Sequence, residues 1–160
     1  MRIKIGLGYD IHRLKENGEN IVLGGVRIPY HKKFIAHSDG DVLIHAIIDS
    51  IFGAMGEKDI GSHFPDNDPK YKGIDSTLLL KECYTMMDKA GYEITNLDCT
   101  IVAEEPKINP YVEEIKNNLS KILHIQNKDI SIKAKTNEKI GEVGKGEAIK
   151  VYAIVLLRGD

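Results

Sequence analysis

The chain has 160 residues, enough for one domain, or one subunit of an oligomer, that buries a real core without disulfide staples. Hydrophobic residues make up 42% and charged residues 29%, and the net charge of −2 leaves no basic excess to hold nucleic acid. Two cysteines, Cys83 and Cys99, exclude a disulfide framework and a four-thiolate zinc site; each falls in an apolar segment and reads as a small buried hydrophobe.

No apolar run approaches the roughly 20 residues that span a bilayer, and the N-terminus lacks a signal-peptide pattern, so a reducing cytoplasm is the expected location. The first segment, "RIKIGLG", alternates apolar and polar residues as a half-buried strand does, with Gly6 and Gly8 marking close backbone approach. "NIVLGGVRIPY" carries Gly24-Gly25 between two short apolar runs, a hairpin signal. A mostly apolar helix is expected from about Ser38 to Met55, with Ser38 and Asp41 spaced as in a capping box. "EKDIGSHFPDNDPKYKG" is a polar loop long enough to suspect function. A second helix runs from about Ser76 to Ala90, closed by Gly91. "YEITNLDCTIVAEE" reads as a strand, and "NPYVEEIKNNLSKIL" as a helix with Asn109 as cap and Pro110 in its first position. "DISIKAKTN" is a strand, "EKIGEVGKGEA" a glycine-rich loop, and "IKVYAIVLLR" the last strand. The mixed order predicts a single α+β domain over residues 1–160, mostly a four-stranded mixed sheet with helices on one face plus a small hairpin.

Asp10 and His12 stand two apart in an extended segment, so their side chains point the same way, as two ligands of a zinc-like metal do. Alone, such a pair also fits a surface or hydrogen-bonded core pair. His45, on the apolar helix, is the candidate third ligand. Asp41, His45 and Asp49 share one helical stripe, so either carboxylate is placed to orient the imidazole. Three protein ligands leave a fourth position for a substrate oxygen, the pattern of a catalytic site. His37 and Ser38, at the expected helix start, suit an anion; Ser38 also fits a plain cap. Glycines 141, 144 and 146 with Lys139 and Lys145 suggest backbone amides approaching phosphates, although a glycine-rich turn is the plainer reading. Glu138 is a hard-oxygen ligand for Mg²⁺ if a diphosphate binds there.

Six segments, "GYDIHRL", "IVLGGVRIPY", "AHSDGDVLIHAIIDSIFGA", "DIGSHFPDNDPKYKGIDS", "AEEPKI" and "TNEKIG", occur in this order. Together they closely resemble the 2-C-methyl-D-erythritol 2,4-cyclodiphosphate synthase family, from residue 2 to the final strand. The resemblance implies an enzyme of the non-mevalonate isoprenoid pathway. It would form a homotrimer with active sites between neighbouring subunits. The reaction would convert 4-diphosphocytidyl-2-C-methyl-D-erythritol 2-phosphate to the cyclic diphosphate and release CMP, as a phosphorus–oxygen lyase using Zn²⁺ and Mg²⁺ or Mn²⁺. It makes Asp10, His12 and His45 the zinc ligands, with Ile11 beside them at the substrate, and Glu138 the magnesium ligand. His37 and Ser38 would meet the substrate's phosphate end, with His37 and Thr136 steadying the transition state. The methylerythritol would lie against Asp59, Ile60 and Gly61, then Phe64, Pro65, Asp66, Asn67 and Asp68. Ala103, Glu104, Glu105, Pro106, Lys107, Ile108 and Asn109 would hold the cytidine, and Lys135, Thr136, Asn137 and Glu138 the diphosphate, supplied by the adjacent subunit. The chain departs from the family pattern at three positions. Lys135 stands where a small or hydroxyl residue is frequent, Glu142 where an aromatic is common, and Lys145 in place of arginine. The last two border the substrate tail and the end of the trimer axis.

Two other classes fit the same residues. A zinc-dependent phosphohydrolase would activate water at the three ligands and release phosphate, and it would need a general base beside the metal. A nucleotide-binding module with a structural metal would bind CMP or CDP without turnover.

Overall fold

Alternating strands and apolar-striped helices set the architecture of the computed structural model, which describes residues 1–160. In chain order the elements are β1 (Arg2–Glu16), β2 (Asn20–Leu23), β3 (Val26–Pro29), β4 (Lys32–Phe34), α1 (Val42–Met55), the one-turn α2 (Ile60–His63) and α3 (Ser76–Lys89). They continue through β5 (Tyr92–Val102), α4 (Val112–Leu123), β6 (Ile130–Lys135), the one-turn α5 (Gly141–Gly144) and β7 (Ala148–Gly159). The main sheet has five strands in the order β4-β1-β7-β5-β6, and β2 and β3 form a separate hairpin. The four strands expected from the sequence are all present; the fifth, β4, is a three-residue edge strand on the end of β1, pairing Leu14 with Phe34. Three residues are too few for an alternating pattern to register.

β1 and β7 pair antiparallel from Arg2–Gly159 to Arg13–Ala148, so the two ends of the chain make the middle of the sheet. β5 and β6 are the parallel pair, joined by a crossover through α4. Along β7, Ile149, Val151, Ala153, Val155 and Leu157 are buried on the helix side while Tyr152 and Ile154 stay exposed on the other. α1 is buried almost all round, from Val42 to Ala54. It lies on β1 at backbone distance: a Cβ on Gly6 would come within 1.9 Å of Ser50 O, and one on Gly8 within 1.8 Å of Ala46 O. Only glycine allows that approach. α3 packs through Leu79, Leu80, Cys83 and Met87, and α4 through Ile115, Leu119 and Leu123, each a stripe at helical spacing. No helix is long and apolar enough to cross a membrane.

The helix starts differ from the sequence reading. α1 begins at Val42, capped by Asp41, whose Oδ1 accepts the Ile44 N–H at 3.0 Å. The same carboxylate takes the Gly24 and Gly25 N–H groups of the hairpin at 2.9 and 2.8 Å, so three donors compete for Asp41 against the single capping bond open to Ser38. α3 is capped by Asp75, with Ser76 in its first turn. Asn109 makes no capping bond; it opens a 3₁₀ turn, Asn109–Tyr111, that leads into α4. Both cysteines are free and buried.

Candidate metal centre and substrate cleft

β1 extends past the expected end, so Asp10 and His12 lie inside a paired strand opposite Val151 and Ile149. Both side chains face α1, where His45 occupies the first turn. Nδ1 of His12 lies 3.1 Å and Nδ1 of His45 3.2 Å from the same oxygen, Asp10 Oδ2. One donor atom from each of the three residues falls within 4.8 Å of the others. Nδ1 of His12 is buried and has no hydrogen-bond partner. A buried imidazole nitrogen left without a partner costs free energy, and a metal ion between the three donors would satisfy it. The residues present therefore fit a metal. Burial works to raise the Asp10 carboxyl, but the two imidazoles outweigh it and hold it at about 2. Burial also disfavours the His45 imidazolium, yet its hydrogen bond and charge interaction with Asp10 raise it above the ordinary histidine range.

The residues that orient His45 differ from those the helical stripe suggested. Asp41 is spent on α1 and the hairpin, and Asp49 Oδ1 accepts the Ile60 N–H at 2.7 Å. His45 Nε2 instead meets Ser76 Oγ at 2.9 Å and Ser38 Oγ at 3.2 Å. Ser76 Oγ donates to Asp39 Oδ1 at 2.5 Å, so it accepts from His45, which fixes the proton on Nε2 and leaves Nδ1 for the shared centre. Ser76 and Asp39 are the site residues that sequence reasoning missed. Their 37-residue separation gives no local spacing signal; the one hint was the position of both next to a helix start.

The centre opens into a cleft of about 490 Å³ lined by Asp10, Ile11, His12, His37, Ser38, His45, Asp49, Asp59, Ile60, Gly61, Phe64 and Asp66, among others. Asp59 caps α2 through Ser62, which shapes this wall. Pro65, Asn67 and Asp68 lie outside the lining; Asp68 instead accepts from His37 Nε2 through its carbonyl at 3.1 Å and caps a 3₁₀ turn with its carboxylate. His37 and Ser38 stand ahead of the helix start itself, which is at Val42. The N–H of Gly40 goes to Ser38 Oγ, that of Asp41 to Asp39, and that of Ile44 to Asp41, so Ser38 offers its hydroxyl and His37 its ring.

A second pocket, about 390 Å³, is lined by Ala103, Glu104, Pro106, Lys107, Ile108, Asn109, Pro110, Ala134, Lys135 and Thr136, so the expected cytidine segment and the end of β6 do come together. Glu105 is exposed, and Asn137 and Glu138 stand beyond the lining. No residue is common to the two pockets. In the glycine-rich loop the N–H groups of Gly144, Lys145, Gly146 and Glu147 all bond within the loop. Glu142 lines a separate groove with Ile11, Arg13 and Glu147, and Lys145 lines none of these pockets.

The YgbB family model matches residues 3–158. The chain belongs to the YgbB family. The 2-C-methyl-D-erythritol 2,4-cyclodiphosphate synthase of Clostridium acetobutylicum is 52% identical over 155 residues, covering 97% of this chain and 99% of that one. The synthase of Caldicellulosiruptor bescii is 49% identical over 154 residues, covering 96% and 98%. Among solved structures, the Plasmodium falciparum IspF complex with CDP superposes with a TM-score of 0.87 at 39% identity, over 99% of this chain and 97% of that one. The bifunctional IspDF of Campylobacter jejuni superposes with a TM-score of 0.94 at 37% identity, over 99% of this chain and 43% of its own length. Both solved structures thus share this fold over nearly the whole of this chain.

Proposed function

We propose that this YgbB-family enzyme converts 4-diphosphocytidyl-2-C-methyl-D-erythritol 2-phosphate to the 2,4-cyclodiphosphate and CMP, in a homotrimer whose active sites each join the metal cleft of one copy to the nucleotide pocket of the next. The observation that carries this reading is the division of the chemistry within one chain into two pockets with no residue in common. The outer face of the sheet supports it. Ile3, Ile5, Leu7, Tyr9, Tyr152 and Ile154 stand exposed side by side on β1 and β7, an apolar surface of the kind that marks a subunit contact.

Asp10, His12 and His45 would hold Zn²⁺, and Glu138 of the neighbouring copy Mg²⁺ or Mn²⁺; bound there, the ions supply the positive charge that lets one phosphate approach another. Without neutralisation each pair of unit charges about 4 Å apart repels by roughly 4 kcal/mol at an effective dielectric near 20. The 2-phosphate oxygen forms a bond to the phosphorus attached to the methylerythritol, the bond from that phosphorus to the CMP oxygen breaks, and CMP leaves with the electron pair. Ser38 and His37 meet the attacking phosphate, and the turn at Thr136 meets the diphosphate. The walls at Asp59–Gly61 and at Phe64 and Asp66 fix the sugar so that attack is intramolecular. Such alignment contributes roughly 7–11 kcal/mol relative to a bimolecular encounter. No protein nucleophile is needed. Asp49, a carboxylate beside the centre that a hydrolase would use as base, already accepts the Ile60 N–H.

Phosphorus NMR of the reaction in ¹⁸O-labelled water tests the proposal. Cyclisation gives CMP and cyclic diphosphate in equal amounts with no solvent oxygen in either. Label in CMP or in a released phosphoryl product would mean hydrolysis and would overturn the reading.

A further inference from the structure

Glu104 faces inward from the end of β5, and its carboxylate is already engaged. Oε1 accepts two backbone N–H groups from the turn that follows β6, Asn137 at 2.8 Å and Lys139 at 3.0 Å. The amide between them, Glu138 N–H, is directed to Thr136 Oγ1 at 3.3 Å. The turn is strained: Glu138 and Lys139 have φ of 52° and 60°, a left-handed pair without a glycine. Such conformations persist only where the surroundings over-determine them. Here the surroundings are Glu104, the Asn137 side-chain amide on Ile140 O at 2.7 Å, and the backbone of Gly144, where an added Cβ would fall 2.2 Å from Lys139 C. Parallel pairing sets the two segments side by side, with Val102 opposite Lys135 and the Ala103 N–H on Lys135 O at 2.9 Å.

We infer that Glu104 is a positioning residue: its carboxylate clamps the Thr136–Lys139 turn and so fixes where the Glu138 carboxylate and the Thr136 hydroxyl stand. This rests on the proposed role of Glu138 as the second metal ligand. The clamp also decides what the turn can bind. Two amides separated by one residue form an anion seat, and Glu104 fills it with a built-in carboxylate. Phosphate oxygens are thereby left to the Thr136 hydroxyl and to whatever cation Glu138 holds. Both bonds fall on one oxygen, so a glutamine carbonyl can replace the carboxylate in both, whereas alanine removes them.

The test compares Glu104→Gln and Glu104→Ala with the parent enzyme in three readouts. Glu104→Ala should lower kcat about 100-fold, the scale of a roughly 1 Å misplacement of a reacting group. It should also raise the Mg²⁺ concentration for half-maximal rate about tenfold or more, as loss of a group supporting a metal ligand does. Glu104→Gln should recover most of the rate and the Mg²⁺ dependence. Amide hydrogen exchange at Asn137 and Lys139, slow in the parent and in Glu104→Gln, should become fast in Glu104→Ala. That readout needs no activity and decides the clamp even if the cyclising reaction is not the one catalysed. Parent-like exchange at both amides in Glu104→Ala would overturn the inference. So would a fall in CMP affinity with unchanged kcat and Mg²⁺ dependence, the signature of a direct nucleotide contact.

Discussion

Replacing Gly8 with alanine perturbs the candidate metal centre from beneath, without touching Asp10, His12 or His45. The new Cβ would lie 1.8 Å from Ala46 O and 2.8 Å from Ser50 N, and both are backbone atoms of α1 that no rotamer change can move. Restoring ordinary van der Waals contact requires the helix and strand to part by about 1.6 Å. Asp10 lies two residues along β1 and His45 one residue before Ala46, so the same parting opens the 3.2 Å approach of His45 Nδ1 to Asp10 Oδ2. A metal site tolerates errors of about 0.2 Å in its ligand distances. The affinity for zinc should therefore fall at least 100-fold. Stability should fall by about 3 kcal/mol, the upper part of the usual overpacking range, which for a chain of this length is roughly 6–12 °C in Tm. Gly53→Ala is the control: its Cβ would meet Leu7 O at 3.8 Å, an ordinary contact, on the same two elements. It should raise stability by about 0.5–1 kcal/mol through helix propensity. Thermal denaturation of the metal-free proteins and zinc titration by calorimetry measure both effects. A Gly8→Ala protein that melts with the parent and binds zinc equally well would refute the backbone-contact argument.

Ser76→Ala removes the acceptor that holds the His45 Nε2–H, and zinc affinity should fall about 10–100-fold with the fold intact; unchanged affinity in a competition titration would show that Ser76 and Asp39 do not orient the ring. Ile5→Asp places a charge on a side chain that is 71% exposed in the single chain. It should leave secondary structure unchanged by circular dichroism and dissolve the proposed trimer in sedimentation analysis, whereas a trimer that persists would move the contact to another face. Stripping the metal with a chelator should lower Tm by roughly 5–11 °C if free zinc had been about 100 times its Kd, a stabilisation of about 2.7 kcal/mol. Equal melting with and without chelator would argue against a bound ion at this centre.

The parts of the site that local periodicity governs were legible in the sequence. Asp10 and His12 share a side because a strand alternates, and His45 joins them because an apolar helix must lie on that strand, at the glycines that admit it. What escaped was decided by competition between distant groups. Ser38 looked like a helix cap until Asp41 proved to carry three N–H donors, two of them from a hairpin 16 and 17 residues away. Asp41 and Asp49 looked like supports for His45, but Asp41 carries three backbone amides, Asp49 takes the Ile60 N–H, and the hydrogen bond to the ring comes from Ser76. The sequence of the glycine-rich loop also cannot show that the amides of Gly144, Lys145, Gly146 and Glu147 bond within the loop. The division of the site into two pockets is likewise a property of the folded sheet, which places the end of β1 and the end of the β5–β6 pair in separate surfaces.

The pairing of Arg2 with Gly159, reinforced by the Arg2 guanidinium on the Asp160 carbonyl at 2.7 Å, sets both ends of the chain beside each other at one end of two interior strands. From there to Asp10 the strand runs about 27 Å. Anything attached at either end is therefore carried well away from the metal cleft and interrupts no strand. This makes the fold an easily portable module. In the Campylobacter jejuni bifunctional IspDF the matching portion occupies 43% of a longer chain.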